Sequence, residues 1–451
     1  MSLLNALPST EQFCLTGSGK WSSAFAVTDL ANASIAAVGL ELAKLIASLN
    51  LTPAVPQVTV DQRLASLWFD CSFRPDGWQL PNLWDTIAGV YETQDGWIRL
   101  HTNLPHHRQA ALHVLDCDAT WDSVAAAVQH WQADELEYET VNAGGVAAAM
   151  RSREDWRAHP QGRAVAAEPL IDWVSPGFIQ LRERTQATAE RPLAGLRVLD
   201  LTRVLAGPVS TRTLAGFGAD VLRIDPPGWD EPGVITEVSL GKRMASLDLS
   251  MGEDRLVFEA LLSKADVFVH GYRPGALDGL GYDTTNRRRL APNAVEVTLD
   301  AYGWTGPWAA RRGFDSLVQM SAGIADAGRD WAGSRTPHPL PVQALDHATG
   351  YLMAAAVLSA LNAAAQGAPV PLARLSLART AELLAGMDTS TQGPDIADPA
   401  AADYAPHTEK SSWGPGRRLV APLHLSATTL HWEQPATRCG SSPAAWQTAR
   451  Q

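Results

Sequence analysis

One acidic side chain is placed where a carboxylate could take part in chemistry. Asp346 lies at the start of a predicted helix, before the apolar run 351–364 and after a loop rich in Pro, Gly and Arg. An Asp at this place can cap the helix by accepting a hydrogen bond from a free N–H of the first turn. It can equally present its carboxylate at the mouth of a cleft. The residues alone leave both interpretations open.

Six basic residues fall in or near loops that should follow β-strands. Arg supplies a planar set of donors for phosphate, and Lys supplies a compact positive charge. Their convergence would suit a phosphorylated ligand, although each one taken singly fits a solvated surface charge. The six residues are Arg203, Lys242, Arg243, Arg273, Arg311 and Arg312.

Several other chemistries are not supported. A dinucleotide site needs Gly-x-Gly-x-x-Gly after the first strand, but residues 202–208 read TRVLAGP, which leaves Asp225 as weak evidence for a ribose contact. The adjacent His106 and His107 would point about 100° apart on a helix, so we expect surface or interface histidines and no metal site. A Gly-x-Ser-x-Gly elbow or a Ser-His-Asp arrangement is not recognisable.

The elements that must position these groups form an α/β pattern. Short apolar strands are predicted at 196–201, 219–224, Val267–His270 and 294–299, with a helix at 208–217 and a strand-to-helix passage from Leu247 to Leu262. Alternation at this spacing predicts a Rossmann-like parallel sheet with right-handed crossovers. Ligands of such sheets bind beyond the carboxyl ends of the strands. The loops of interest are 202–208, 225–228, 271–275 and 300–306.

A second stretch repeats the pattern around Asp346. Asp29 precedes another apolar helical run, 34–49; Asp61 follows Asp29 by 32 residues, and Ser376 follows Asp346 by 30. Each copy predicts a capped helix, a Pro-bearing turn, a short strand and a second helix. We interpret this as an internal repeat, with a period too long for a solenoid. Duplication followed by loss of both outer ends would leave the modules in swapped order.

The chain is long enough for two or three domains. Residues 84–100 predict a β-hairpin and the segments 106–115, 121–131 and 151–156 predict helices, which makes a smaller α/β domain. We predict five segments: a first repeat copy that packs with the sheet domain (1–72), the small α/β domain (73–175), a linker (176–190), the Rossmann-like domain with the second repeat copy (191–387) and a Pro/Gly/Ser-rich closing tail (388–451).

Composition restricts the partners. The chain has 451 residues, a formal net charge of −12 and 46% hydrophobic residues. That charge argues against nonspecific nucleic-acid binding, which needs a broad basic surface. The four scattered cysteines lack ligand spacing, no signal peptide is recognisable, and the run 351–364 is too short to span a bilayer. We therefore expect a cytoplasmic protein with no membrane partner.

A series of motifs, in order, carries a resemblance to a known family. Residues 192–204 read PLAGLRVLDLTRV and 214–225 read LAGFGADVLRID; they are followed by LGKR at 240–243, ADV at 265–267, YRPG at 272–275, YGWTGP at 302–307 and GFD at 313–315. This series resembles the class III CoA-transferases, the CaiB/BaiF family. Residues 95–98 and 144–160 look like that family's small domain, and 413–446 like its closing tail, which again gives a swapped module order.

The resemblance implies a function for these residues. The family's nucleophile is an Asp beyond the Gly-Phe-Asp segment, which matches Asp346. The implied activity moves coenzyme A from an acyl-CoA to an acceptor carboxylic acid through acyl-aspartyl anhydride and aspartyl-CoA intermediates. CoA or acyl-CoA is then a substrate, no cofactor is tightly bound, and an interlocked homodimer is expected. The matching CoA-binding positions are Leu205, Ala206, Lys242, Arg243, Tyr272, Arg273 and Tyr302.

Departures from the family pattern keep alternatives open. Gly271, Gly279, Pro226 and Asp300 stand where many members have other residues, several of them basic. A catalytically degenerate paralogue that binds CoA, or a partner chain without turnover, is the alternative function. The racemase branch of the family has a His where this chain has Phe314, so one of its two bases is missing. Asp29 has no sheet domain before it, and its role stays open.

Overall fold

The first unit of the chain is a long buried helix followed by a strand and a short helix. The computed structural model describes residues 3–388 and 393–447. After a 3₁₀ turn (Thr10–Gln12), this unit contains β1 (Cys14–Thr16), α1 (Val27–Ser48), β2 (Val58–Asp61), α2 (Gln62–Trp68) and β3 (Phe73–Pro75). Asp61 caps α2, because its side chain accepts a hydrogen bond from the amide of Leu64 at 2.9 Å. The predicted helix, strand and second helix are all present.

The small module follows. It contains β4 (Gly89–Glu92), β5 (Trp97–Leu100), α3 (Pro105–Leu115), α4 (Trp121–Val128), α5 (Ala133–Asn142), β6 (Ala147–Ala149), α6 (Arg153–Ala158) and α7 (Pro160–Ala167). β4 and β5 pair antiparallel as the predicted hairpin, and β6 pairs antiparallel with β5. Helix α5 was not predicted because its sequence is mostly polar. Only four of its residues are buried: Ala133, Leu136, Glu137 and Thr140.

A seven-stranded sheet organises the second half of the described chain. Its elements are β7 (Asp172–Gly177), β8 (Arg197–Leu201), α8 (Ala206–Gly216), β9 (Asp220–Asp225), α9 (Ile235–Val238), β10 (Lys242–Ser246), α10 (Gly252–Leu262), β11 (Val267–His270), α11 (Ala276–Gly279), α12 (Thr284–Leu290), β12 (Val295–Asp300), α13 (Asp315–Ser321), α14 (Ile324–Ala332), α15 (Ala344–Ala365), β13 (Val370–Ser376) and α16 (Leu377–Ala385).

The strand order is β10-β9-β8-β11-β12-β13-β7. The first six strands run parallel, and β7 lies antiparallel to β13 at the edge. For the six parallel strands this is the doubly wound order, in which the chain reverses its direction of travel between β8 and β11. The α/β, Rossmann-like fold class is confirmed. The small domain was predicted to end at residue 175. β7 runs through this boundary and pairs with β13, so it belongs to the large sheet.

The two long helices form the centre of the molecule. α1 and α15 pack against each other, and Asn362 of α15 donates a hydrogen bond to the carbonyl of Glu41 in α1 at 2.9 Å. With 22 residues each, both helices are long and apolar enough to cross a membrane, and 83% and 89% of their most apolar windows are buried inside the protein. The prediction that the apolar run 351–364 is too short to span a bilayer is therefore wrong as regards length, because the helix that contains this run has 22 residues.

The tail returns to the first unit. After a 3₁₀ turn (Ala401–Asp403) it contains β14 (Glu409–Ser411), β15 (Gly414–Arg418) and β16 (Leu423–Leu425). β15 pairs with β3, and β16 pairs with β2. Buried Glu237 of α9 joins the modules, because it lies 2.8 Å from Arg212 of α8 and 3.2 Å from Arg418 of the tail. Residues 389–392 and 448–451 of the predicted tail lie outside the described residues.

Candidate active site

A cleft of about 310 Å³ opens at the carboxyl ends of β8, β11 and β12. One wall is formed by the loops that follow these strands, at the point where the strand order reverses. The opposite wall is the start of α3 in the small module, with Leu104, His106 and His107. Both walls belong to the same chain. Five of the predicted site residues line the cleft: Leu205, Ala206, Tyr272, Arg273 and Asp346.

Asp346 lies in the first turn of α15 and is 8% exposed. Among the described residues no donor reaches its carboxyl group, whereas its backbone amide donates a hydrogen bond to Asp315. Burial, and after it the nearby charge of Asp315, raises the pKa of Asp346 well above its ordinary value. A buried carboxyl without donors holds its proton. A shifted group of this kind, lining a cleft, is typical of a functional site.

Asp315 is the partner that positions Asp346. Its Oδ2 accepts a hydrogen bond from the backbone amide of Asp346 at 2.9 Å, and its Oδ1 accepts one from the side chain of Gln319. The amide of Leu345 also points to it. Burial still raises the pKa of Asp315, to about 6. Because Asp315 has donors and Asp346 has none, Asp346 is the member of the pair whose neutral form is favoured more strongly.

Phe314 connects the two walls. Its ring stacks on the ring of His101 with centroids 3.9 Å apart and meets the edge of the His107 ring at 5.9 Å. Burial, followed by the charges of His106 and Arg312, lowers the pKa of His107 to about 3, so its ring is neutral. Both ring nitrogens of His107 lack a hydrogen-bond partner among the described residues.

Arginines give the cleft a positive character. Arg203 is held in place, since it donates to the Tyr272 hydroxyl at 2.6 Å and lies over the Trp229 ring, 4.4 Å from its centroid. Burial, and after it the charge of Arg273, lowers the pKa of Arg312. Cations this close together favour an anionic ligand. The arginines that line the cleft are Arg203, Arg273, Arg311 and Arg312.

The other predicted CoA-binding residues lie outside the cleft. Lys242 belongs to β10 and is buried, with its Nζ 3.0 Å from Asp200, and burial lowers the pKa of Lys242 to about 8. Arg243, on the same strand, pairs with Asp220 at 2.7 Å. Tyr302 is buried, with its hydroxyl 3.1 Å from that of Ser321. The prediction that these three contact CoA is not supported by where they lie.

Lys242 has a structural task. Its partner Asp200 also accepts hydrogen bonds from the amide of Thr202 at 2.8 Å and from the hydroxyl of Thr211 at 2.5 Å. Thr202 opens the loop between β8 and α8, and Thr211 lies on α8. Lys242 therefore neutralises a buried carboxylate that fixes the first loop of the cleft.

Two backbone features shape the same corner of the cleft. Val204 has φ +65°, a conformation that costs a β-branched residue energy, and its amide is held by Glu231 at 2.9 Å. Gly350 allows α15 to approach α8, since a Cβ there would lie 2.3 Å from the carbonyl oxygen of Ala206. Close packing of the two helices brings Asp346 beside Leu205 and Ala206.

Of the four residues that depart from the family pattern, two lie in the cleft and two lie elsewhere. Gly271 and Asp300 line the cleft, whereas Pro226 and Gly279 do not. Burial raises the pKa of Asp300 well above its usual value, and its Oδ2 has no partner among the described residues. Burial therefore favours the neutral form of Asp300, which can donate a hydrogen bond, at a position where many family members have a basic residue.

Asp29 lies in a different place. It is in the first turn of α1 and faces another cavity, of about 290 Å³, lined mainly by residues 20–29 with Trp331 and Asp395. No strand-end loop of the large sheet lines that cavity. The two segments of the predicted repeat thus have the same order of helix, strand and helix but different surroundings.

Two side chains of the candidate site were not assigned to it from the sequence. Asp315 caps the start of α15 by accepting from the amide of Asp346, 31 residues later, a distance at which no capping pattern is visible. His107 was considered only as a metal ligand with its neighbour. Its position after Leu104-Pro105, a helix-start pattern, was the available signal.

Comparison with known proteins agrees with this geometry. Residues 193–409 match the sequence model of CoA-transferase family III. A probable fatty acyl-CoA transferase of Mycobacterium tuberculosis is 33% identical over 38% of this chain and 46% of its own length. A succinyl-CoA:glutarate CoA-transferase of Mus musculus is 34% identical over 32% of this chain and 36% of its own.

Two other proteins are similar to a larger part of this chain. An acyl-CoA transferase of Gibberella moniliformis is 26% identical over 75% of this chain and 66% of its own length. A CAIB/BAIF family protein from Brucella suis, of known structure, is 28% identical over 50% of this chain and 65% of its own, with a TM-score of 0.39. The chain spans less than two thirds of the length of these relatives. Residues 193–409 of this chain are therefore similar to CoA-transferase family III.

Proposed function

We propose that this chain transfers coenzyme A from an acyl-CoA thioester to an acceptor carboxylic acid, with Asp346 as the nucleophile. The observation that carries the proposal is the buried Asp346 carboxyl, which has no donor among the described residues and lines the cleft at the reversal point of the sheet. The CoA-transferase names of the related proteins support the same activity.

In the first half of the reaction, an oxygen of ionised Asp346 attacks the thioester carbonyl carbon. The carbon–sulfur bond breaks, which leaves an acyl-aspartyl anhydride and CoA thiolate. The thiolate then attacks the aspartyl carbonyl of the anhydride. The donor acid leaves as a carboxylate, and Asp346 becomes an aspartyl-CoA thioester.

The second half reverses these steps, with the acceptor acid in place of the donor acid. Its carboxylate attacks the aspartyl-CoA carbonyl, so that a new anhydride forms and CoA thiolate leaves. The thiolate attacks the acceptor's acyl carbon, which yields the new acyl-CoA and regenerates the Asp346 carboxylate. No proton, electron or cofactor is consumed overall, and CoA is purely a substrate.

The other residues have supporting roles in this proposal. Leu205, Ala206, Tyr272 and Arg273 bind CoA along the sheet wall, where Arg273 suits a phosphate. Asp315 holds the start of α15 in position. Asp346 must lose its proton to solvent before it can attack, and the positive groups of the cleft favour its ionised form. Lys242 stabilises the loop between β8 and α8 through Asp200, and Arg243 pairs with Asp220 of the neighbouring strand. Neither residue contacts CoA in this proposal.

The test is covalent trapping on the full chain. The protein is mixed with a panel of acyl-CoAs, treated with hydroxylamine or borohydride, and mapped by peptide mass spectrometry. We expect modification confined to the peptide that contains Asp346, with adduct and transfer both abolished in Asp346→Ala.

The repeat provides a matched control, Asp29→Ala, which removes a carboxyl from the equivalent place of the other copy and should leave the adduct unchanged. An adduct on Asp29 would mean that the wrong copy has been assigned. A chain that binds CoA without any adduct would be the catalytically degenerate binder.

A further inference from the structure

Asp300 is a buried carboxyl group of the cleft that the proposed mechanism does not use. It is the last residue of β12, is 7% exposed and lines the cleft together with Asp346. Its Oδ1 accepts a hydrogen bond from the backbone amide of Gly303 at 2.9 Å. Its Oδ2 has no hydrogen-bond partner among the described residues. One oxygen therefore fixes the turn that follows β12, and the other is left for a different partner.

The loop after β12 is held by two acidic side chains. Gly303 has φ +103°, a conformation that favours glycine, and its amide is bound to Asp300. Glu168 holds the next part of the loop, because its Oε1 accepts hydrogen bonds from the amides of Trp304 at 2.8 Å and Thr305 at 2.9 Å. Of the two acids, only Asp300 lines the cleft, so a ligand in the cleft can reach Asp300 alone.

The surroundings of Asp300 favour a proton on its carboxyl group. Burial raises the pKa of Asp300 well above its usual value; the hydrogen bond from Gly303 acts against this, the charge of Glu168 adds to it, and the charge of Arg374 opposes it. A protonated carboxylic acid has one O–H donor, whereas an ionised one can only accept. Because Oδ1 already accepts from Gly303, Oδ2 is the oxygen that carries the donor.

The chemistry of this donor determines what it can bind. A neutral O–H donates to an uncharged carbonyl oxygen without a second charge being buried, whereas the phosphates of CoA are attracted to the arginines of the cleft. A buried polar group without a partner is unfavourable, so a carbonyl oxygen beside Oδ2 binds better than an apolar group. A CoA thioester has carbonyl oxygens in the two amides of its pantetheine arm and in its acyl group. The uncharged part of the substrate is therefore the part that fits Asp300.

We propose that Asp300 is a specificity-determining residue of the cleft, whose Oδ2–H donates a hydrogen bond to a carbonyl oxygen of the bound CoA thioester. This assignment rests on the proposed function and adds a ligand contact to the same cleft. The phosphates of CoA lie at the arginines, and the uncharged part of the molecule passes Asp300 on its way to Asp346. Specificity follows because a ligand without a carbonyl oxygen at this place leaves Oδ2 unpartnered.

The experiment is calorimetric binding to the full chain that carries Asp346→Asn, so that the thioester is not consumed. We expect Asp300→Leu, which removes the donor, to weaken acetyl-CoA binding by about tenfold or more. Asp300→Asn retains an N–H donor and an acceptor for the Gly303 amide, and it should bind acetyl-CoA within about threefold of the parent chain. The nucleotide 3′-phospho-ADP, which lacks the pantetheine arm and the acyl group, should bind all three chains within about threefold of one another.

Glu168→Ala is the matched control for the loop. It removes the acceptor of the Trp304 and Thr305 amides but leaves Asp300 in place, and it should keep acetyl-CoA affinity within about threefold. Free CoA separates the two sources of the carbonyl oxygen. A loss of CoA affinity in Asp300→Leu assigns the contact to a pantetheine amide, whereas a loss confined to acetyl-CoA assigns it to the acyl group. Circular dichroism reports the fold of each variant.

The assignment is overturned if Asp300→Leu binds acetyl-CoA as the parent chain does, if Asp300→Asn loses as much affinity as Asp300→Leu, or if Glu168→Ala causes the same loss. A loss of 3′-phospho-ADP affinity equal to that of acetyl-CoA would also overturn it. An absent Asp346 adduct in the wild type would overturn the transfer chemistry separately, because the binding is measured in a chain that cannot form the adduct.

Discussion

Asp346 and Asp315 share a hydrogen bond of 2.9 Å and have opposite surroundings. Asp315 receives donors from two backbone amides and from Gln319, as a structural carboxylate does. Asp346 receives none on its side chain and lines the cleft. Two neighbouring carboxyls whose environments separate their roles are a common basis of acid–base and nucleophilic sites. In the proposed reaction, Asp315 therefore has the structural role and Asp346 the chemical one.

Asp346→Asn should stabilise the fold at pH 8 and abolish CoA transfer. The pKa of Asp346 is raised in the folded state, so wild-type stability falls as pH rises from the ordinary Asp value of 3.8 through the folded pKa. The neutral amide avoids this loss. We expect the variant to gain about 1 kcal/mol at pH 8, a usual gain for a relieved functional site, and nothing below pH 4. Urea unfolding at several pH values measures it, and a gain independent of pH would contradict the assignment.

Asp315→Ala should move the acidic limb of the transfer rate to lower pH. Transfer needs ionised Asp346, so the rate rises with pH, and removing the neighbouring charge lowers the Asp346 pKa. Loss of the acceptor for the start of α15 should also destabilise the protein by about 0.5–2 kcal/mol. The control is Asp283→Ala, which removes the cap that accepts the Asn286 amide at 2.8 Å on α12. It should lose similar stability without any change in the pH profile.

At the level of single residues, the sequence predicted best where local pattern and function coincide. Asp346 and Tyr272 line the cleft as expected from helix-start and strand-end positions. Lys242 and Arg243 were predicted to lie in or near a loop that follows a strand, whereas both lie on β10. Their charges are neutralised by Asp200 and Asp220, which lie far away in sequence. Contacts over such separations are not visible in a sequence pattern.

At the level of elements, α15 and α8 bring the site together. The apolar runs of β8, β9, β11 and β12 allowed those strands to be predicted, whereas β10 was placed too late because it begins with two basic residues. The close approach of α15 to α8 depends on Gly350. The sequence shows that this residue has no side chain, but it does not show that another helix packs there. Element type was therefore predictable, and contact geometry was not.

Gly350→Ala should separate α15 from α8. The added Cβ would meet the Ala206 carbonyl oxygen at 2.3 Å and Val209 at 2.8 Å, so a helix must shift. Overpacking of this kind typically costs about 1–3 kcal/mol, and the displaced Leu205–Ala206 loop should weaken CoA binding. The control is Gly252→Ala on α10, where a Cβ would meet nothing within 4 Å. Chemical unfolding and CoA titration distinguish the two, and equal behaviour of both variants would contradict the packing argument.

At the level of the whole molecule, one chain supplies both walls of the cleft. The described residues of α15 from Ala344 to Asn362 are all buried within that chain, largely against α1 and α8. Helix α1 therefore covers an apolar helix that would otherwise need another partner. The interlocked homodimer stays a prediction, and both walls of the cleft come from one chain.

Specific transfer activity should consequently be independent of protein concentration. We expect the same rate per chain from micromolar to nanomolar protein, whether or not sedimentation velocity detects a dimer at the upper end. A rate per chain that falls on dilution, in step with dissociation of a dimer, would show that residues from a second copy complete the site.

Both edges of the large sheet are covered by segments from outside residues 191–387. β7 pairs with β13 on one side, and on the other Ser442 donates to the carbonyl of Met244 in β10 at 2.8 Å. An uncovered strand edge is a template for pairing with other chains. A fragment cut at 191 and 387 would hold six parallel strands with two open edges, and it should aggregate during expression. The unit that can be produced alone must therefore extend in both directions beyond the sheet's own strands.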